Sequence, residues 1–248
     1  MMNAVAAKDT AFVRLATNSL PMDNLRMTIT DSLDLLERLL RLDLDVTARD
    51  PWWWPESGTF AMVVGAILTQ QTRYQKVEAS LANLRSHGEI TPEQLAGMEE
   101  AALARAIQPS GFYRTKAARL RLFAEALLAD FGGFDRFRRE VDRDWLLARK
   151  GVGRETADAM LCYGCRREAM VVDAYTERLL RGFGLTFSGY DEIQSWLLDG
   201  QAATRRVRGL MGEMPVARVH ALYHGLIVEY AKRHSRGREV DVTPLRAA

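Results

Sequence analysis

The stretch from Leu147 to Leu180 constrains this chain more than any other, because it sets a glycine-bearing turn between two helical patterns and follows it with a lone carboxylate. It reads as a helix ending near Lys150, a tight Gly151-Val152-Gly153 turn, a second helix from about Arg154, and Met170-Val171-Val172-Asp173 leading into a third. Two glycines permit backbone conformations that side chains forbid, so the turn can lay its N–H groups close against a phosphate. The apolar Met170–Val172 run buries its end of the chain and holds Asp173 rigidly where the next helix starts. Each piece also has a plainer use. Gly-x-Gly serves as an ordinary link between helices, and Asp before a helix serves as its N-cap.

The remainder of the chain asks for helices as well. Leu33, Leu35, Leu36, Leu39 and Leu40 recur at helical spacing, and Thr91-Pro92-Glu93-Gln94 combines a cap, a first-turn proline and an early acid. Strand-like alternation is nearly absent. With 248 residues, 48% of them apolar, the chain can build one large or two small cores, and no collagen, coiled-coil or disordered composition competes. The expected architecture is all-α and two-domain: an inserted helical bundle over 58–168, a second helical domain formed by 29–57 with 169–248, and a cleft between them with Asp173 near its floor. Residues 1–28 carry little pattern and read as a disordered type of extension, in which Met22 or Met27 could be the true start. No basic-then-apolar leader and no bilayer-length run is present, so a cytoplasmic protein without a membrane partner is expected.

Charge enters through clustering, since the net value is only +2. Arg114, Lys116, Arg119 and Arg121 form one basic group, Arg136, Arg138 and Arg139 a second, and Lys150 with Arg154 flanks the glycine turn. Such runs serve either as solvated helix faces or as a phosphate-contacting stripe with salt-dependent binding. A second unusual stretch is Trp52-Trp53-Trp54-Pro55, followed by an apolar helix and the polar cluster Thr69-Gln70-Gln71-Thr72. Three consecutive tryptophans cannot share one helix face. From composition they read as an aromatic staple between domains or as a stacking surface.

Taken together, the hairpin, the following Asp173 and the tryptophan segment resemble the helix-hairpin-helix DNA glycosylase superfamily, which includes endonuclease III and the adenine glycosylases. Asp173 falls on that family's essential aspartate. Bifunctional members carry a lysine after the hairpin that attacks the sugar as a Schiff-base nucleophile, and this chain has Glu155 there. A carboxylate forms no imine, so the resemblance implies a monofunctional glycosylase that uses water. Within the superfamily the chain is similar to the type III 3-methyladenine DNA glycosylases. Trp53, Trp54 and Pro55 match their base pocket, and Tyr74 stands where they have a stacking phenylalanine. Ser110-Gly111-Phe112-Tyr113, Lys116-Ala117 and Glu155-Thr156-Ala157-Asp158-Ala159 also match. The likeness runs from about Leu33 to Lys232.

That resemblance implies double-stranded DNA carrying alkylated bases as the partner, a monomeric enzyme, and phosphate contacts from Lys150, Gly151, Val152, Gly153, Arg154 and Thr156. Gln70 would fill the gap left by the flipped base. The protein supplies no certain metal site, although a monovalent cation could bridge the Gly151–Gly153 turn to phosphate. Aromatic walls favour a cationic N-alkylated purine by about 0.5–2 kcal/mol. Such a base also departs without being protonated, which leaves Asp173 as the one essential catalyst. Further readings are an endonuclease III-like enzyme on oxidised or mismatched pyrimidines, and a protein that only binds damaged DNA.

No cofactor is expected. The chain has two cysteines, Cys162 and Cys165, read as helix packing residues, and none in 231–237, where relatives carry an iron-sulfur loop of four. His220 and His224, four apart on an apolar helix, read as core histidines because no third metal ligand is near in sequence. A lysine that the family has on this helix falls on Leu226.

Overall fold

The computed structural model describes residues 28–201 and 204–248; the extension read at 1–28 lies outside them except for Thr28. Fourteen helices follow one another among these residues. The first, α1 (Ser32–Leu40), starts where Asp31 accepts from the Asp34 N–H at 2.7 Å and buries Leu33, Leu35, Leu36 and Leu39. After the tryptophan loop comes α2 (Phe60–Thr69), buried at every position from Phe60 to Leu68. A helix apolar on all sides has to run through a core. Around it pack α3 (Tyr74–Arg85), α4 (Pro92–Gly97), α5 (Glu100–Ala106), α6 (Tyr113–Phe131) and α7 (Phe134–Glu140). The proline-led start of α4 is as expected, with Thr91 accepting from Gln94 N–H.

The hairpin follows as α8 (Arg143–Leu147) and α9 (Arg154–Ala159), and α9 runs on into a π-helical turn over Met160–Gly164. The first hairpin helix ends at Leu147, earlier than the expected Lys150, because the turn needs Ala148–Gly153 to reverse the chain. Next come α10 (Ala174–Gly182), α11 (Tyr190–Gln201), α12 (Thr204–Met211) and α13 (Val216–His234). A short hairpin pairs β1 (Ser235–Arg236) with β2 (Glu239–Val240) before α14 (Thr243–Ala247). No described helix is long and apolar enough to cross a membrane.

Two cores result. One gathers α2 to α9 with the π turn, and the other gathers α1 with Met170, Val172, α10, α11, α13 and the C-terminal hairpin. Trp52, Trp53 and Trp54 lie against the first core. Val171 belongs to the first core while Met170 and Val172 belong to the second, so extended alternation pins this segment between the two. Asp173 leaves that clamp already oriented.

Candidate active site

A cleft of about 760 Å³ opens where the two cores meet. Trp53, Trp54 and Pro55 enter it from the tryptophan loop, Thr69–Thr72 from the end of α2, Tyr74 from α3, Glu155 and Thr156 from α9, Asp173 from the start of α10, and His224, Glu229 and Lys232 from α13. The structure therefore brings together every residue read as base pocket or catalyst.

The tryptophan loop owes its shape to Asp50. Its carboxylate accepts from the Trp52 N–H at 2.8 Å and the Ser57 hydroxyl at 2.8 Å. Trp53 adopts φ 70°, a left-handed conformation that costs a bulky residue energy and survives only where surroundings enforce it. The surroundings here are specific: its indole N–H donates to Glu229 at 3.2 Å, and the ring meets His224 edge-on at 5.3 Å. A Cβ on residue 225 would come within 2.6 Å of the Trp53 ring, so Gly225 is what lets α13 approach it. Trp54 stands perpendicular to both Trp53 and Tyr74, at centroid separations of 5.9 and 6.2 Å. The three rings make a walled recess. Burial pushes the Tyr74 hydroxyl up to about 12, so it stays protonated.

Asp173 is the N-cap of α10 and lines the cleft at once. Its Oδ1 accepts from the Thr176 N–H at 2.8 Å and from the Thr176 hydroxyl at 3.0 Å. Oδ2 lies 3.7 Å from His224 Nε2, and the Asp173 side chain is 15% exposed. Burial works against its charge, yet His224 and the Thr176 donors outweigh burial and hold the carboxyl below its ordinary range. The cap reading is met through Oδ1, while Oδ2 faces His224.

His224 is buried as the reading of a core residue expects, and the structure adds that it faces Asp173. Its Nε2, on that side, has no hydrogen-bond partner, while Nδ1 sits 2.7 Å from the buried Tyr163 hydroxyl. Tyr163 has one hydrogen to give and also lies 3.0 Å from the Ala221 carbonyl. If that hydrogen goes to Ala221, Nδ1 donates to the phenol oxygen. His220 does remain a core residue, and burial alone pushes it down to about 4. Nothing in sequence signalled the difference between the two.

Glu155 opens into the cleft, where desolvation by the walls, then the Asp173 charge, raise its carboxyl to about 6. Leu226 lies in the second core; the basic group that α13 sends to the cleft is Lys232. Its ammonium is 5.5 Å from the Trp53 ring centre and 3.0 Å from Glu229.

At the hairpin only Gly151 needs to be glycine on conformational grounds, with φ 85° and the Arg119 side chain where a Cβ would sit. Gly153 has ordinary extended backbone, φ −95°, and open space beside it, which corrects the expectation that both glycines adopt forbidden angles. Lys150, Gly153 and Arg154 are exposed there, Arg154 pairing with Asp191 at 3.3 Å, while Val152 is buried. Gln70 spends its amide N–H groups on the Gly151 carbonyl at 2.9 Å and the Thr156 hydroxyl at 3.0 Å. Its neighbour Gln71 is exposed at φ 54°. Phe112, also at positive φ, is 69% exposed.

Lys116 is removed from the expected basic stripe, because it is buried. Its ammonium shares three N–H groups among four acceptors, the carbonyls of Leu68, Gln70 and Ser110 and the Thr72 hydroxyl, all within 2.8–3.0 Å. Burial, then the neighbouring Arg119, lower it to about 8. It acts as a fixed cation tying the loop of Gln71 to that of Phe112.

Residues 64–195 match the HhH-GPD superfamily of base excision DNA repair proteins. The chain belongs to this superfamily. A Methanocaldococcus jannaschii protein, "Putative DNA repair glycosylase MJ1434", is 31% identical over 83% of this chain and 91% of its own length. Endonuclease III of Thermotoga maritima is 30% identical over 60% of this chain and 67% of its own. Among solved structures, the H. pylori 3-methyladenine DNA glycosylase bound to 1,N6-ethenoadenine superposes with TM-score 0.79 and 38% identity, over 83% of this chain and 99% of that one. A trapped endonuclease III–DNA intermediate shares the fold, with TM-score 0.61 and 20% identity over 82% of this chain and 85% of that one. This HhH-GPD chain is a DNA glycosylase of base excision repair, with the helical two-core fold of that group.

Proposed function

We propose that this protein is a monofunctional glycosylase that flips alkylated purines, chiefly 3-methyladenine, out of double-stranded DNA and hydrolyses their bond to the sugar. The observation that carries the reading is one cleft holding three aromatic walls, Trp53, Trp54 and Tyr74, together with a carboxylate kept ionised, Asp173. A cationic purine fits between electron-rich faces. As the bond to C1′ breaks, positive charge develops on the sugar; Asp173 stabilises it and takes a proton from the attacking water. The domains read as 58–168 and as 29–57 with 169–248 follow the two cores apart from residues such as Trp52–Trp54, Val171 and Ala221, which pack with the first, and the extruded nucleotide sits between them.

The hairpin N–H groups with Lys150 and Arg154 grip the phosphate backbone, with Gly153 allowing close approach, while Thr156, buried and accepting from Gln70, is not among these contacts. Gln70 is committed to the hairpin, so Gln71 and the exposed Phe112 are the side chains that enter the duplex in its place. The Gly151 carbonyl already accepts from Gln70, so a monovalent cation at this turn would share that oxygen with the amide when DNA binds. The enzyme acts as a monomer, without cofactor or iron-sulfur cluster. Strand cleavage is absent because Glu155 cannot form an imine and the Lys232 ammonium is paired with Glu229.

Release of free bases from methylated DNA, identified by chromatography, tests the reading. Wild type should release 3-methyladenine and leave unbroken abasic strands, with no borohydride-trapped adduct. Asp173→Asn should lose about a hundredfold or more in rate while still binding DNA. A mutant as active as wild type would remove Asp173 from the mechanism, and a trapped adduct would assign lyase chemistry to Lys232.

A further inference from the structure

Two carboxyl groups share the cleft in opposite circumstances. Asp173 accepts two hydrogen bonds from Thr176 and faces His224. Glu155, in the first turn of α9, opens into the same space with no hydrogen bond or ion pair to any described residue. No donor on a described residue therefore holds it in its charged form, and its side chain is exposed to solvent at the cleft. The groups facing it are Asp173 and Glu177 from α10 and His224 from α13, and across the cleft stand Arg49, Arg73, Glu229 and Lys232. Asp173 and Glu177 both repel a second negative charge, and only His224 opposes them.

We propose that Glu155 is a general acid giving this site a second activity, the release of neutral damaged bases that cannot depart until a ring nitrogen is protonated. The inference rests on reading the cleft as the base-excision site. Its environment agrees, since Glu155 is raised to about 6 while Asp173 is lowered, and a pair of carboxyls driven apart in this way divides acid from base roles. The C1′–N bond breaks with its electron pair passing to the base, and the Glu155 proton goes to a ring nitrogen of that base. Water adds to C1′ and gives its proton to Asp173. Transfer of that proton to Glu155 through the open cleft restores both groups, so the net reaction is hydrolysis. A cationic base bypasses the first proton transfer, and Glu155 then has no proton to supply.

The test compares duplex DNA bearing a single 1,N6-ethenoadenine, a neutral base, with methylated DNA as the cationic control, for wild type and Glu155→Gln between pH 5 and 8. Wild-type release of ethenoadenine should fall about tenfold per pH unit above the acid's pKa, while 3-methyladenine release stays nearly level. In Glu155→Gln that slope should vanish, and the ratio of ethenoadenine to 3-methyladenine release at pH 6 should drop at least about tenfold. Parallel loss of both activities with the slope retained would overturn the inference, as would a wild type that releases 3-methyladenine but no ethenoadenine at any pH. A wild type that releases no methylated base would overturn the reading of the site and this inference with it. Thermal melting of the mutant separates each result from a folding defect.

Discussion

At the scale of single residues, the site works by opposing environments rather than by unusual side chains. Asp173 sits where burial alone would neutralise it, and His224 with the two Thr176 donors holds its carboxyl below the ordinary range. Its folded pKa is depressed, so its contribution to stability is full above the unfolded value of about 3.9 and is lost as pH falls through the lower folded value. Release of 3-methyladenine should therefore hold level down to about pH 5 and fall only below the ordinary carboxylate range. His224 is a positioning residue in this scheme. His224→Ala should raise the Asp173 pKa and move the acid limb of the rate profile upward, with a slower plateau. A profile that keeps its limb in place would show that His224 only packs against Trp53.

Elements set the reach of these groups. The approach of α13 to the tryptophan loop depends on residue 225 having no side chain. Gly225→Ala should cost about 1–3 kcal/mol, read as a lower melting temperature, and weaken base release more than DNA binding. Equal losses in binding and release would argue against a displaced Trp53. Lys116 joins the end of α2 to the loop before α6, which carries Phe112. Lys116→Met would take that donor from the Leu68 carbonyl and leave the Gln70 and Ser110 carbonyls sharing the single Thr72 hydroxyl hydrogen, at a cost of about 1–3 kcal/mol for each buried acceptor left without a partner. Chemical denaturation should show a lower midpoint with an unchanged slope; an unaltered midpoint would mean that water replaces the ammonium.

Across the whole molecule, one buried carboxylate holds the two cores in register. Asp158 on α9 takes two bonds from Arg143 at 2.8 and 3.0 Å, one from the Tyr190 hydroxyl at 2.7 Å and one from Gln194 at 2.9 Å. Gln194 also reaches the Met170 carbonyl, just before Asp173. The hairpin, α11 and the segment that leads into Asp173 thus share one anchor. Asp158→Ala should destabilise by about 3 kcal/mol, the lower end for a broken buried pair because Arg143 is 34% exposed. Melting checks this, and a loss below about 1 kcal/mol would mark the anchor as dispensable.

By itself the sequence determined what depends on neighbours in the chain. The helical periods, the Thr91 cap, the glycine turn and the carboxylate at the start of α10 are local, because capping, backbone freedom and amphipathic spacing act within a few residues. Tertiary structure decided what depends on meetings across long separations. His224 and His220 look alike in sequence, and only the fold brings one of them, 51 positions beyond Asp173, to face that carboxylate. Lys116 joined a basic run until packing surrounded its ammonium with backbone oxygens, and Gln70 and Gln71 parted when the hairpin came within reach of one amide. Burial and charge environment are sums over everything nearby in space, so the chemistry of Glu155 and Asp173 becomes visible only once the chain has folded.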